Sequence, residues 1–134
     1  MTKGETRVVI DTNIWLSYLL GGLAFNQLQK ILLDKHIAIL ISDKLKEEIV
    51  RIVNSRKFSK YFSAEQMDDL IYILTYRTMH IRVTSKVQVC RDETDDFLLA
   101  LCKDGNADFL ITGDKAVLEI GKFYNTKIIT LRSF

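Results

Sequence analysis

The stretch that most limits what this chain can fold into is Arg7-Val8-Val9-Ile10-Asp11-Thr12-Asn13. Three apolar β-formers run straight into an acid, and a helical pattern starts at once behind it. A continuous apolar run of this kind reads as a strand buried on both faces, the state of a central parallel strand. Ligands of open α/β sheets gather outside the carboxyl ends of such strands. Asp11 is therefore placed for chemistry, but an Asp there could equally serve only to cap the helix behind it. Other acids converging on the same place would separate the two readings.

The pattern recurs along the chain. Short apolar runs predict strands at residues 7–11, 37–41, 79–83, 109–111 and 127–130, with 85–91 a loop or irregular strand. Between them, 3.6-residue periodicity predicts helices. One runs from about Asn13 until Gly21-Gly22 stops it, and another covers about 23–34. A third, capped by Ser42, reaches about Asn54, and a fourth is opened by the capping box of Ser63 and Gln66. The fourth presents Met67, Leu70, Ile71 and Leu74 as its apolar side. A fifth spans about Thr94 to Gly105, and a short one begins at Lys115. Alternating strands and helices predict an α/β fold, a three-layer α/β/α sandwich around a central, mainly parallel sheet of four or five strands. At 134 residues, one domain spanning 1–134 is expected.

Composition narrows the class of function. No run approaches the ~20 apolar residues of a membrane span, and the first residues lack a signal peptide's apolar segment, so a cytoplasmic protein without a membrane partner is expected. Cys90 and Cys102 lack metal-ligand spacing and read as reduced thiols. His36 and His80 read as structural. The net charge of +2 is uneven: between Arg51 and Arg91 eight Lys or Arg face three acids, leaving the remainder net acidic. Basic surface beside acidic pockets suits binding of a phosphate backbone and a metal ion, although a solvated helix face looks similar.

Helix phase sorts the acids. On the helix after Ser42, Leu45, Ile49 and Ile52 mark the buried face, and Glu48 shares it while Glu47 points away. An acid on an apolar stripe calls for a partner, unless it reaches solvent at the stripe's edge. In the run Asp92-Glu93-Thr94-Asp95-Asp96, Asp95 is phased with Leu98, Leu99 and Cys102 and points inward, with Asp96 and Asp92 as auxiliaries. The helix dipole favours acids at this position in any case. Finally, Phe109-Leu110-Ile111 delivers Asp114 just past a buried strand. Four carboxylates at one sheet edge would raise one another's pKa values, and a hard divalent cation, Mg²⁺ or Mn²⁺, removes the conflict.

Asp11-Thr12-Asn13 after a buried strand, Glu48 after Ser42, Asp95 before Leu98-Leu99, and Thr112-Gly113-Asp114 together resemble the PIN domain. The likeness covers essentially the whole chain. The segment from Cys90-Arg91-Asp92 to Asp114 is most similar to single-domain prokaryotic PIN proteins classed as toxins of toxin–antitoxin pairs. The resemblance implies that Asp11, Glu48, Asp95 and Asp114, with Asp96 as a further candidate, bind Mg²⁺ or Mn²⁺. It implies Asn13, Thr112 and Ser42 as residues that hold the carboxylates. The implied reaction is hydrolysis of an RNA phosphodiester by an activated water, with no nucleophilic side chain. A small antitoxin and a second copy of the chain, in a homodimer, are the implied protein partners. Many relatives carry a second Asp two residues after the one matching Asp114, where this chain has Ala116.

For RNA contact, the sequence offers Arg56, Lys57 and Lys60 interleaved with Phe58, Tyr61 and Phe62, a pattern suited to a single strand. The same aromatics could pack on the core or form a dimer seam. Other chemistries fit less well. An aspartyl-phosphate enzyme wants a second Asp where Asn13 stands, and a dinucleotide fold wants a glycine-rich turn after Ile10. The remaining alternative is a catalytically weak or inactive PIN fold that binds RNA or protein.

Overall fold

A computed structural model describes residues 5–90 and 95–134. The element order is β1 (Thr6–Ile10), α1 (Thr12–Leu20), α2 (Gly22–Leu33), β2 (Ile37–Ile41), α3 (Asp43–Val53), α4 (Arg56–Ser59) and α5 (Ala64–Tyr76). It continues with β3 (Met79–His80), α6 (Asp96–Asp104), β4 (Phe109–Ile111), α7 (Lys115–Leu118), β5 (Lys122–Phe123) and β6 (Thr126–Ile129). Six strands form one sheet in the order β3-β2-β1-β4-β6-β5, parallel except for the β5–β6 pair. Helices flank the sheet, giving the expected α/β layering.

The order of the strands places the site. The chain leaves β1 toward β2 and β3, then crosses back to lay β4 on the other side of β1. The crevice outside the carboxyl ends of β1 and β4 is thus a topological switch point, where open α/β sheets bind ligands. Both central strands are apolar because both faces are covered: Val8, Val9, Ile10, Leu110 and Ile111 have no exposed surface. Strand register also aligns the residues just beyond them. Val9 pairs with Leu40 and Ile10 with Ile111, so two steps beyond the first pair and one beyond the second, Ser42, Asp11 and Thr112 form one row along that edge.

Helix ends obey the sequence signals. Ser42 Oγ accepts the Leu45 amide at 3.2 Å, and Ser63 and Gln66 form the full capping box at the start of α5. Gly21 and Gly22 take φ of +89° and +74°, a conformation that ends α1 and that L residues rarely adopt. Gly105 closes α6 against β2: a Cβ there would lie 2.6 Å from a Leu40 methyl carbon.

Several boundaries differ from expectation. The strand predicted over residues 79–83 pairs at Met79 and His80, and after a last bond from the Ile81 amide to the Ile41 carbonyl at 2.8 Å the ladder stops, because β2 ends at Ile41. Residues 81–88 continue without a ladder, alternately half-buried and exposed. Ile71 is 38% exposed; α5 instead buries Leu70 and Leu74, with Met67 and Ile73 half-buried. The basic and aromatic run that begins at Arg56 opens with the short helix α4. The β5–β6 hairpin is absent from the sequence expectation, since its turn is Tyr124-Asn125, with Tyr124 at φ +52°, rather than a glycine turn. Arg91, Asp92 and the start of the fifth predicted helix at Thr94 lie outside the described residues.

Candidate active site

The row Ser42, Asp11, Thr112 is a consequence of strand register, and hydrogen bonds turn it into a site. Asp11 is 7% exposed. Its Oδ1 accepts the Thr12 amide at 2.7 Å and its Oδ2 accepts the Thr112 hydroxyl at 2.6 Å. The first bond is the helix cap anticipated for an Asp before α1. The second reaches across to the neighbouring strand, which a cap does not require. Burial pushes the Asp11 carboxyl above its ordinary range. The two hydrogen bonds pull it down, and the charges of Glu48 and Asp114 push it up again.

Glu48 reaches this position from the second turn of α3. Leu45 and Ile49 flank it on the buried side of the helix, Glu48 is half-buried and Glu47 is exposed. Thr12 Oγ1 donates to Glu48 Oε2 at 2.5 Å. The Thr12 side chain is nearly buried, so a single residue supplies an amide to one acid and a hydroxyl to the next. Thr12 does not stand out in the sequence. Its signal is positional, since the first residue of a helix behind a strand-end Asp has both donors turned to the same edge.

Asp114 sits at the start of α7. Its amide donates to Thr112 Oγ1 at 3.1 Å, and its Oδ1 accepts the Ala116 amide at 2.9 Å. Asp95 precedes α6, half-buried. Asp95 and Asp114 both act on Cys90, whose thiol burial and nearby carboxylates push up to about 12. Hydrogen bonds therefore connect Asp11 to Glu48 through Thr12 and to Asp114 through Thr112.

The other candidates take different positions. Asp96 points to the segment before it: its Oδ1 accepts the Val89 amide at 3.0 Å and the Cys90 amide at 2.7 Å, which hold its carboxyl below the usual range. Asn13 is exposed, and its carbonyl accepts the Ser17 hydroxyl. Ser42 caps the helix that carries Glu48. Arg56, Lys57 and Lys60 are exposed, but the whole of α3, roughly 16 Å of helix, separates α4 from Ser42. Lys57 and Lys60 lie over the rings of Phe58 and Tyr61, while Phe62 is buried in the core. Asp92 lies outside the described residues.

The donor set fits a hard divalent cation. Its members are carboxylate oxygens, the ligands such ions prefer, and the charge effects at Asp11 are repulsions that a cation would relieve. Among the described residues no three His, Cys, Asp or Glu are already gathered tightly enough to hold a metal ion. The acids instead rest on hydroxyls and amides. Each Asp11 oxygen accepts a hydrogen bond and has a further lone pair to offer.

A family model described as PIN domain matches residues 7–116. The chain belongs to the PIN domain family, whose members are generally nucleases. It is 28% identical over 124 residues to an uncharacterised protein of Methanocaldococcus jannaschii, covering 90% of this chain and 78% of that one. It is also similar to a chain in the crystal structure of VapBC2 from Rickettsia felis bound to a DNA fragment from their promoter. There the identity is 18% and the TM-score 0.59, with 92% of this chain and 97% of that chain covered, a likeness of fold. No helix among the described residues is long and apolar enough to cross a membrane.

Proposed function

We propose that the protein is a Mg²⁺- or Mn²⁺-dependent endoribonuclease, the toxin of a toxin–antitoxin pair, working in the cytoplasm as a homodimer of single PIN-like domains spanning residues 1–134. The observation that carries the nuclease reading is the hydrogen-bonded linkage of Asp11 to Glu48 through Thr12 and to Asp114 through Thr112 at the β1/β4 switch point. The family match supports the same class.

Asp11, Glu48, Asp95 and Asp114 are the residues that would hold the ion, with Asp96 better suited to fixing the chain before α6. A bound divalent ion would supply positive charge for the phosphate and make an attacking water easier to deprotonate. The chain's own contribution is orientation. Thr112 ties Asp11 to the backbone of Asp114, and Thr12 ties Asp11 to Glu48, so three acids keep their spacing when the charge in the site changes. Burial of Asp11 keeps bulk water from solvating its carboxylate, which strengthens its attraction for a cation. Ala116, where many relatives have a further acid, leaves the Asp114 side with fewer ligands.

The test is incubation of purified protein with a panel of labelled single-stranded RNAs in Mg²⁺, in Mn²⁺ and in EDTA. Asp95→Asn runs beside the wild type. Cutting in metal, none in EDTA and a decrease on the order of a hundredfold or more in the variant is the expected pattern. RNA retained in a gel shift but uncut under every condition would replace the enzyme with a binding module.

A further inference from the structure

A groove of about 1240 Å³ lies beside the acid site. One wall is the start of α3 with Ser42 and Lys44, the opposite wall is the segment from His80 to Gln88, and α6 closes the base with Asp96 and Phe97. Ser42, which caps the helix carrying Glu48, and Asp96, the chain neighbour of Asp95, both line it, so the groove borders the acid site.

The outer wall is built, although it lacks a strand ladder. Ile81, Val83 and Val87 pack against the core while Arg82, Thr84, Lys86 and Gln88 are exposed, a period-two alternation. Both ends of α6 hold it. Asp104, the last residue of α6, accepts the Thr84 amide at 2.7 Å, the Ser85 amide at 2.9 Å and the Ser85 hydroxyl at 2.5 Å. Asp96, the first, accepts the Val89 and Cys90 amides. Arg82 and Lys86 are therefore both exposed on a clamped segment, one on each side of the Thr84-Ser85 anchor.

Charge and ring chemistry select the occupant. Lys44, Arg82 and Lys86 line the groove with His80, against the acids Asp43 and Asp96. The Asp96 charge is already taken up by two backbone amides. Phe97 is half-buried, and Lys44 Nζ lies 5.2 Å from its ring centroid, so a cation and an aromatic face meet across the groove. Cations spaced along a groove beside an aromatic ring are the chemistry that holds a single-stranded polynucleotide without reading its sequence. We propose that such a strand lies in this groove, with its phosphates on Lys44, Arg82 and Lys86 and one base stacked on Phe97. An arriving base takes the ring face that Lys44 now covers, and the ammonium moves to the adjoining phosphate. The proposal rests on the nuclease reading above for its purpose, since the groove borders the acids, and it moves the contact away from α4.

Fluorescence anisotropy with a labelled single-stranded RNA of about twelve nucleotides, its DNA counterpart and an RNA duplex tests it, using the full chain in EDTA so that no cutting occurs. Arg82→Ala/Lys86→Ala should weaken binding of both single strands on the order of tenfold at about 0.1 M salt. The slope of log affinity against log salt should fall by about 1.4, because two phosphates are no longer neutralised. Phe97→Leu should weaken binding at least about fivefold and leave the salt slope in place. Unchanged affinity in the double variant overturns the proposal. So does loss of binding on replacing Arg56, Lys57 and Lys60 instead, equal affinity for the duplex, or binding of an acidic peptide with none of RNA. Cutting assays separate the two readings. Normal binding by the groove variants with cleavage lost in Asp95→Asn leaves the nuclease standing and the groove refuted; groove-dependent binding without cleavage does the reverse.

Discussion

Thr112 and Asp11 lie 101 residues apart in sequence, and the Thr112 hydroxyl meets Asp11 Oδ2 at 2.6 Å because Ile10 and Ile111 are paired one step earlier. The same hydroxyl oxygen accepts the Asp114 amide, so one fully buried group links two acids that the chain supplies from different strands. The strand-to-strand register is the physical origin of the site.

Thr112→Val keeps the shape of this side chain and removes its hydroxyl. It leaves a buried carboxylate oxygen and an amide without their partner, which should cost about 1–3 kcal/mol. Urea unfolding in EDTA measures that loss. Cleavage should fall about ten- to a hundredfold, the usual penalty for losing a residue that orients a metal ligand, and Thr112→Ser should restore most of it.

Thr12→Val tests the link from α1 to Glu48 in the same way. The amide to Asp11 survives, so stability should change by less than in Thr112→Val, while cleavage falls roughly tenfold or more. Comparing the apparent Mg²⁺ requirement of variant and wild type identifies the defect as one of ligand placement.

Asp11 should lower the stability of the metal-free protein at neutral pH. Its folded-state pKa is raised, chiefly by burial, so the unfolded chain gives up this proton first as pH increases. Stability contributed by the protonated form is complete below the ordinary carboxylate range and is lost as pH climbs through the raised folded value. Asp11→Asn removes that loss. In EDTA the variant should therefore melt at a higher temperature than wild type near neutral pH, with the difference closing toward about pH 3. Adding Mg²⁺ should raise the melting temperature of wild type and leave the variant behind.

Asp104 has the opposite sign. Hydrogen bonds from Ser85 and Thr84 hold its carboxyl below the ordinary range, so its contribution is present at neutral pH and is lost as pH falls through the folded value. Asp104→Ala should lower stability by about 1–2 kcal/mol near neutral pH and by less in acid. Hydrogen exchange at Thr84 and Ser85 should accelerate, since their amides lose the acceptor.

Both cysteines should resist alkylation. Cys102 is buried and Cys90 half-buried, and each thiol is pushed up to about 12. At about pH 8 iodoacetamide should modify neither at a rate near that of a free thiol, and both should react once the chain is unfolded in urea at the same pH.

Much of this is legible in the sequence because it depends on periodicity. Buried strands announce themselves as Val8-Val9-Ile10 and Phe109-Leu110-Ile111, and helix phase separates half-buried Glu48 from exposed Glu47. The hydroxyls of Thr12 and Thr112 are harder to assign, because their partners are set by register between strands, which no local pattern records. For the same reason the sequence points to the basic run at Arg56, Lys57 and Lys60. Charge density is visible in one dimension, whereas the groove cations Lys44, Arg82 and Lys86 come together only when α3 and the clamped 81–88 segment face each other. The β5–β6 hairpin is invisible in the sequence because two paired residues on each side of a Tyr-Asn turn carry almost no pattern.

The measurement that tests the central claim most directly is calorimetric titration of the protein with Mn²⁺, beside Asp11→Asn, Glu48→Gln and Asp114→Asn, after each variant's fold is checked by circular dichroism. Mn²⁺ should bind the wild type, with affinity reduced at least about tenfold in each variant and Mg²⁺ competing for the same site. No binding by the folded wild type, or equal affinity in all three variants, would contradict a metal-dependent nuclease built on these acids.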